Sequence, residues 1–189
     1  MQKIILASAS PRRKNLLEKI GLEFQVLPSN YEEQLEDDDF SYEKIENLAL
    51  NKAKDVAEKL QEGIVIAADT VVVLEGKILG KPHSKDEARL MIKSLSNKTH
   101  EVITSIVMID VQNAKTLVKS TTTKVSFRKI EAEEIENYIS TSEPYDKAGA
   151  YAAQGLAAIF IEKIEGCFNN VVGLSVFEVN RMLKKLNAL

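Results

Sequence analysis

A long apolar run over residues 64–82 places one carboxylate where a strand is predicted to be buried. Residues 64–68 and 71–74 are apolar and rich in β-branched side chains, which predicts a buried strand rather than a half-exposed one. Asp69 and Thr70 interrupt this run. A carboxylate in such a strand is unfavourable unless it is hydrogen-bonded, paired with a cation or bound to a metal. Asp69 therefore requires a partner, which is either a neighbouring turn or part of a charged site.

The residues that follow predict a hairpin that brings a lysine back towards Asp69. Glu75-Gly76-Lys77 is typical of a tight turn, residues 78–79 of a short return strand, and Gly80-Lys81-Pro82 of a rigid exit. Lys81 is then expected to point back towards Asp69. An acid and a base on paired strands predict a site for an anion together with a metal.

The amino terminus predicts a short strand at residues 3–7, followed by a helix that begins at Pro11 and is stopped by Gly21. Leu16, Leu17 and Ile20 are spaced to lie on one core-facing side of this helix. The pattern is that of a strand followed by an amphipathic helix.

The turn into this helix, with the sequence SASPRR, concentrates groups that bind phosphate. Ser10 suits the N-cap and Pro11 the first helical position, so the backbone N–H groups and the helix dipole face outward. Ser8, Arg12 and Arg13 lie beside them. A well-capped helix with two solvated arginines would explain Ser10 and Pro11, but it does not need the hydroxyls and guanidinium groups together.

The rest of the chain alternates between strand and helix patterns. Further strands are predicted at residues 23–27, 99–111, 115–127 and 156–164, and further helices at 42–61, 84–95, 131–140 and 175–186. A glycine-bounded loop at 145–155 has the composition of loops that line ligand sites. An acidic loop follows Pro28, and most of its carboxylates are expected to be solvated. One or two of them can reach a divalent cation such as Mg²⁺.

Composition limits the classes of function. The 189 residues suit a single domain, with 44% hydrophobic and 28% charged residues. A net charge of −3, from 25 basic and 28 acidic residues, argues against a nonspecific nucleic-acid binder. No apolar run is long enough to span a membrane and no signal peptide is evident, so a cytoplasmic protein is expected. Cys167 is the single cysteine, which excludes an intrachain disulfide.

Seven short motifs occur in an order that identifies a resemblance. They are LASASPRR near the amino terminus, NKAK at 51–54, AADTVV at 67–72, GKP at 80–82, THEVIT at 99–104, YDKAGAYAAQG at 145–155 and NNVVGL at 169–174. With these motifs the chain resembles the Maf family of nucleoside triphosphate pyrophosphatases. The YDKAGAYAAQG segment is most similar to the branch that acts on dTTP and UTP.

The resemblance implies an α/β fold of the Maf and inosine triphosphatase type over residues 1–189. Its central mixed sheet would be flanked by helices, with a cleft between two lobes. The implied reaction is hydrolysis of dTTP, UTP and modified pyrimidine triphosphates between the α- and β-phosphates, which gives a monophosphate and pyrophosphate. A divalent cation, Mg²⁺ or Mn²⁺, is the implied cofactor, and a homodimer is expected because dimers are common in the family.

The resemblance also assigns roles to residues. Asp69 would be the general base and a metal ligand, with Glu33 as a second metal ligand. The substrate-specificity residues would be Arg12, Thr70 and Gln154, and the phosphate-binding residues would be Ser8, Arg13, Lys52 and Lys81. Whether Asp69 takes the proton of the water or mainly holds the metal stays open. Two alternative functions also stay open. One is the same hydrolysis of a nucleotide with another base, such as 7-methyl-GTP, and the other is a nucleotide-binding regulator of cell division without turnover.

Overall fold

The computed structural model describes residues 2–31 and 39–188. Their strands are β1 (Ile4–Leu6), β2 (Gln25–Val26), β3 (Ile64–Leu74), β4 (Lys77–Leu79), β5 (Thr99–Asp110), β6 (Lys115–Phe127) and β7 (Ile161–Glu165). Their α-helices are α1 (Pro11–Lys19), α2 (Tyr42–Ala57), α3 (Lys85–Leu95), α4 (Ala132–Ile139), α5 (Phe168–Val172) and α6 (Val176–Lys185). Short 3₁₀ turns occur at Glu143–Asp146, Ala148–Ala150 and Leu156–Phe160. None of the helices in this part of the chain is long and apolar enough to cross a membrane.

The strands form one mixed sheet in the order β2-β1-β3-β5-β6-β7, and β4 also pairs with β3. β1 runs parallel to both β2 and β3. β3, β5, β6 and β7 are antiparallel to their neighbours, as is β4 to β3. The predicted α/β fold with a central mixed sheet flanked by helices is therefore confirmed.

One edge of β3 is interrupted in its middle. β1 pairs with residues 64–66 of β3, and β4 pairs with residues 72–74. The opposite edge pairs with β5 almost continuously, from Ile64 to Val73. Within the described residues, the stretch 67–71 has no strand partner on the first edge. This gap in the sheet edge, which contains Asp69 and Thr70, is where the two sides of the molecule open into a cleft.

Two hydrophobic cores lie on one face of the sheet, at the two ends of β3. The first packs α1 and α6 on the amino-terminal half of β3, through side chains such as Leu17, Ile66 and Leu183. The second packs α3 and α4 on the carboxy-terminal half, through side chains such as Val72 and Phe160. Each fully buried side chain of this size contributes about 1.5–3 kcal/mol. The gap lies between the two cores, and α2 covers the other face of the sheet.

Serine N-caps set the starts of four helices. The side chains of Ser10, Ser41, Ser84 and Ser175 each accept a hydrogen bond from the backbone N–H three residues later. Such caps satisfy one of the open N–H groups of a helix and each contributes about 1 kcal/mol. The predicted beginnings of these helices are confirmed.

The prediction of a strand over residues 156–164 is wrong in its first half. Leu156–Phe160 is a 3₁₀ turn, and β7 begins at Ile161. Ala157 and Phe160 are buried while Leu156 and Ile159 are exposed. This spacing of three matches the 3₁₀ repeat, which a short and uniformly apolar sequence does not distinguish from a strand.

Two details at other helices also differ from the sequence pattern. α1 ends at Lys19, so Ile20 is the C-cap residue and is exposed rather than part of the core face. Gly21 follows with φ of 70°, the left-handed conformation that glycine tolerates, and it ends the helix as predicted. α5 was not predicted, because five residues are too few to show a helical period.

Candidate active site

A cleft of about 470 Å³ opens at the gap in the sheet edge. It contains all the described residues that the sequence analysis assigned to the site. Its wall consists of residues 7–13, Ser29, Tyr31, Lys52, Asp69, Thr70, Val72, Lys81, Val102, 146–148, 151–154 and 171–173. The N-terminal turn, α2, β3, the loop over residues 145–155 and α5 thus meet around one cavity.

Asp69 finds its partner on α2. Lys52 donates a hydrogen bond to Asp69 Oδ1 and forms an ion pair with it. The side chains of Lys52 and Asp69 are 12% and 8% exposed, so the pair lies at the floor of the cleft. Lys81 lines the same cleft, as the hairpin predicted, but within the described residues the cation bound to Asp69 is Lys52. A buried carboxylate paired in this way meets the requirement that the apolar strand imposes.

Arg13 is held by three acceptors from different parts of the chain. Its Nε donates to the carbonyl oxygen of Gly173 at 3.0 Å, Nη1 to Ser8 Oγ at 3.2 Å and Nη2 to Thr70 Oγ1 at 3.1 Å. The alternative of a solvated arginine is therefore wrong for Arg13. The planar guanidinium is fixed in orientation at the cleft wall.

Thr70 continues this network into the protein interior. Its hydroxyl lies 2.9 Å from that of Thr104, which donates to the carbonyl oxygen of Asn170 at 3.2 Å. Thr70 accepts from Arg13, and its single hydroxyl hydrogen has two acceptors within reach, Thr104 Oγ1 and the carbonyl oxygen of Gly173 at 3.4 Å. Thr104 and Asn170 are buried and received no role from the sequence, although both fall within motifs of the resemblance.

Arg12 lies at the rim and faces the loop on the other side of the cleft. Its Nη1 is 3.9 Å from Asp146 Oδ2, and Asp146 also pairs with Lys147. Partial burial raises the pKa of Asp146, but Lys147 and Arg12 together lower it below its ordinary value. Lys147 lines the cleft as a further cation that the sequence analysis did not assign.

The loop that carries Gln154 is anchored from below by two buried residues. Gln154 is exposed at the cleft, whereas Tyr151 is buried with its hydroxyl 2.7 Å from His100 Nε2. Burial lowers the pKa of His100 to about 4, so its ring is neutral near pH 7. Gly149, with φ of 66°, lies so close to Val72 that a Cβ would be 3.0 Å from its methyl groups. These contacts fix the base of the loop.

The predicted metal site is described only in part. Glu33 lies outside the described residues, and those residues contain no group of three or more His, Cys, Asp or Glu side chains placed to hold a metal. Asp69 offers one carboxylate at the cleft floor. Mg²⁺ usually takes one or two protein carboxylates and completes its coordination with substrate phosphates and water. The Asp69 carboxylate is an oxygen donor of the kind that Mg²⁺ takes, and substrate phosphates bound by the cations of the cleft would supply further oxygen ligands.

The sequence is similar to known proteins over nearly its whole length. The sequence model described as Maf-like protein matches residues 3–186. The dTTP/UTP pyrophosphatase of Ruminiclostridium cellulolyticum is 47% identical over 188 residues, covering 99% of this chain and 97% of the relative. That of Caldicellulosiruptor bescii is 46% identical, covering 98% and 96%.

Among solved structures, the Ham1 protein of Staphylococcus aureus is similar over 67% of this chain and 72% of its own. Its TM-score is 0.46 at 20% sequence identity. The family model spans nearly the whole chain, and the relatives are aligned almost from end to end. The chain therefore belongs to the Maf family.

Proposed function

We propose that the protein hydrolyses dTTP, UTP and modified pyrimidine triphosphates between the α- and β-phosphates, giving a monophosphate and pyrophosphate. The observation that carries the proposal is the Lys52–Asp69 pair in the gap of the sheet edge, with Arg13 lining the same cleft. The two relatives named above are dTTP/UTP pyrophosphatases, which supports the same activity.

The cationic side chains of the cleft would bind the triphosphate. Breaking a phosphoanhydride requires charge neutralisation and an in-line water more than covalent chemistry by the protein. Arg13 is already oriented by Gly173, Ser8 and Thr70, so little reorganisation accompanies phosphate binding. Lys81 lines the cleft and would add a point charge.

Asp69 would take the proton of the attacking water. A positioned general base contributes about 10²–10⁴-fold to a rate. Lys52 holds the carboxylate through Oδ1 and so fixes its orientation at the cleft floor. Mg²⁺ or Mn²⁺, held by Asp69 and Glu33, would supply further neutralisation of the phosphates. The base on Asp69 and the charge of the cleft together account for a hydrolase.

Base recognition is assigned to Gln154, Arg12 and Thr70, which all line the cleft. The amide of Gln154 offers a donor and an acceptor, which match the O4 and N3–H edge shared by thymine and uracil. Cytosine presents the opposite pattern on that edge. When the wrong base binds, polar groups of the site are left without hydrogen-bond partners, and the free energy of this loss discriminates strongly between the two bases.

A panel of common and modified triphosphates, assayed with and without Mg²⁺ for pyrophosphate release, tests the proposal. The expected result is metal-dependent release of pyrophosphate that is fastest with dTTP and UTP. Chromatography of the products locates the cut. A diphosphate and orthophosphate would place it at the γ-phosphate and overturn the assignment, and binding without turnover would favour a regulator.

A further inference from the structure

Glu143 closes the loop that carries Gln154. Its Oε2 accepts the backbone N–H of Leu156 at 2.7 Å, and its Oε1 accepts that of Ala157 at 3.2 Å. Both N–H groups open the 3₁₀ turn Leu156–Phe160 and have no partner within that turn's own repeat. A single carboxylate therefore joins the two ends of the segment 143–157.

Gly155, the residue after Gln154, is shaped to this carboxylate. A Cβ added to Gly155 would lie 2.1 Å from Glu143 Oε2 and 2.4 Å from its Cδ, well inside contact distance. The φ of Gly155 is −119°, which any residue adopts, so the close approach of Glu143 rather than the backbone conformation requires glycine here. Glu143 and Gly155 are thus fitted to each other.

Other contacts of Glu143 connect it to the cleft and to the second core. The hydroxyl of buried Tyr138 lies 3.1 Å from Oε1 and 3.0 Å from the carbonyl oxygen of Ala150. The backbone carbonyl of Glu143 accepts from Lys147 Nζ at 2.9 Å, and Lys147 lines the cleft. Tyr138 on α4 therefore holds the Glu143 carboxylate, and this carboxylate in turn holds the backbone at Leu156 and Ala157.

We propose that Glu143 is the positioning residue for base recognition, a role that rests on the proposed function. Its side chain is not part of the cleft wall, yet it fixes the backbone directly after Gln154, at Leu156 and Ala157. Recognition through hydrogen bonds requires placement within about 0.5 Å. Because Gln154 is exposed, its placement depends on the backbone that carries it. Selectivity between uracil and cytosine nucleotides thus depends on Glu143.

The first test compares kcat/KM for UTP and CTP in Glu143→Ala and Glu143→Gln. Alanine removes both acceptors, whereas glutamine keeps the side-chain volume and turns an amide N–H₂ towards one of the two N–H donors. We expect the UTP-to-CTP ratio to fall about tenfold or more, with kcat/KM for CTP changed less than about threefold. Glu133→Ala, on the exposed first turn of α4, is the matched control and should keep the wild-type ratio. Equal losses for both substrates would overturn the inference.

The second test uses Gly155→Ala alone and together with Glu143→Ala. Gly155→Ala should lower the ratio as Glu143→Ala does, because the new methyl group displaces the carboxylate. In the Glu143→Ala background it should add less than about twofold, since the clash is gone. Additive effects of the two substitutions would contradict the inference.

Amide hydrogen exchange tests the hydrogen bonds of Glu143 to Leu156 and Ala157 without any substrate. Glu143→Ala should speed exchange at Leu156 and Ala157 by about tenfold or more, and Glu133→Ala should not. Unchanged exchange at both amides would overturn the inference even in a variant with altered kinetics.

A wild-type protein that does not prefer UTP to CTP would overturn the proposed function and the inference together. A wild-type protein that prefers UTP, with Glu143 variants that keep the same preference, would overturn the inference alone.

Discussion

Lys52 on α2 and Asp69 on β3 form an ion pair whose side chains are both less than one-eighth exposed, at the one place where the edge of β3 lacks a strand partner in the described chain. The pairing places the carboxylate at the cleft floor and fixes one of its oxygens. It connects the apolar strand to the chemistry proposed for the site.

Asp69→Asn should abolish turnover in a protein that still folds, with a lower melting temperature because Lys52 loses the Asp69 carboxylate. The substitution keeps the side-chain volume but removes the proposed base and metal ligand, so a loss of roughly 10²-fold or more in kcat is expected. Pyrophosphate release and thermal melting monitored by circular dichroism measure the two properties. Asp86→Asn, at an exposed carboxylate on α3, is the control and should retain full activity. Near-normal turnover of Asp69→Asn would make Asp69 a structural residue.

Lys52→Met should destabilise the protein, and Asp69→Asn should restore much of the loss. Removing one partner of a buried ion pair leaves the other charge without compensation, at roughly 3 kcal/mol. In the double variant neither charge of this pair remains, so the free energy of unfolding should rise above that of Lys52→Met. Urea denaturation of the two single variants and the double variant measures this coupling. Additive losses would show that the pair does not contribute to stability.

Gln154→Glu should reduce kcat/KM for dTTP and UTP much more than for CTP. A carboxylate keeps the acceptors of the amide and loses its donor, so the pairing with O4 is lost. The added negative charge repels every triphosphate equally, and the ratio of substrates removes that contribution. Steady-state kinetics with the three nucleotides gives the ratio. A uniform loss would mean that Gln154 supports the loop and does not contact the base.

His100 should make the protein less stable in mild acid. Burial lowers its pKa from 6.5 to about 4, so between these values the unfolded chain binds more protons than the folded one. The free energy of unfolding should therefore fall as the pH decreases from about 6.5 to about 4, by on the order of 3 kcal/mol.

The comparison of two histidine variants isolates this effect. His100→Gln removes the titrating ring and retains a group that can bond to Tyr151, so its stability should vary less with pH in that range. His83→Gln, at an exposed position, should leave the wild-type pH dependence in place. Urea titrations at several pH values between 4 and 7 provide the data. The same pH profile in His100→Gln and wild type would show that other groups dominate.

The parts of the fold that sequence predicted are those with local signals. β3 is a run of apolar residues interrupted by Asp69 and Thr70, and the helices after Ser41, Ser84 and Ser175 begin at a capping side chain. The prediction of a strand from residue 156 was wrong because no capping or turn residue separates the 3₁₀ turn from β7, and a short apolar run does not show which of the two it forms. The sequence thus predicted helices and strands correctly where a capping or turn residue marked their ends.

The assembly of the site depends on contacts that no local pattern contains. The gap beside Asp69 exists because β1 ends at Leu6, some sixty positions earlier in the chain. The Thr104 hydroxyl meets the carbonyl oxygen of Asn170 across 66 positions. Residue types near the cleft could be assigned from their motifs, but the pairing of Lys52 with Asp69 and the network around Arg13 required the folded backbone.

The hydrogen bonds of Glu143 next to Gln154 bear on how substrate preference can change. Glu143, Gly155 and the two N–H groups that Glu143 accepts all fall within residues 143–157, whereas Asp69 and Lys52 belong to β3 and α2. The segment that carries Gln154 therefore contains the acceptor and both donors that fix it locally, while Tyr138 and His100 anchor it to the rest of the chain. Transplanting the whole stretch between relatives would transfer the part of the proposed base preference that depends on Gln154, whereas exchanging Gln154 alone would leave the new side chain on the original backbone. Within such a lineage, substrate range and hydrolytic chemistry can evolve independently.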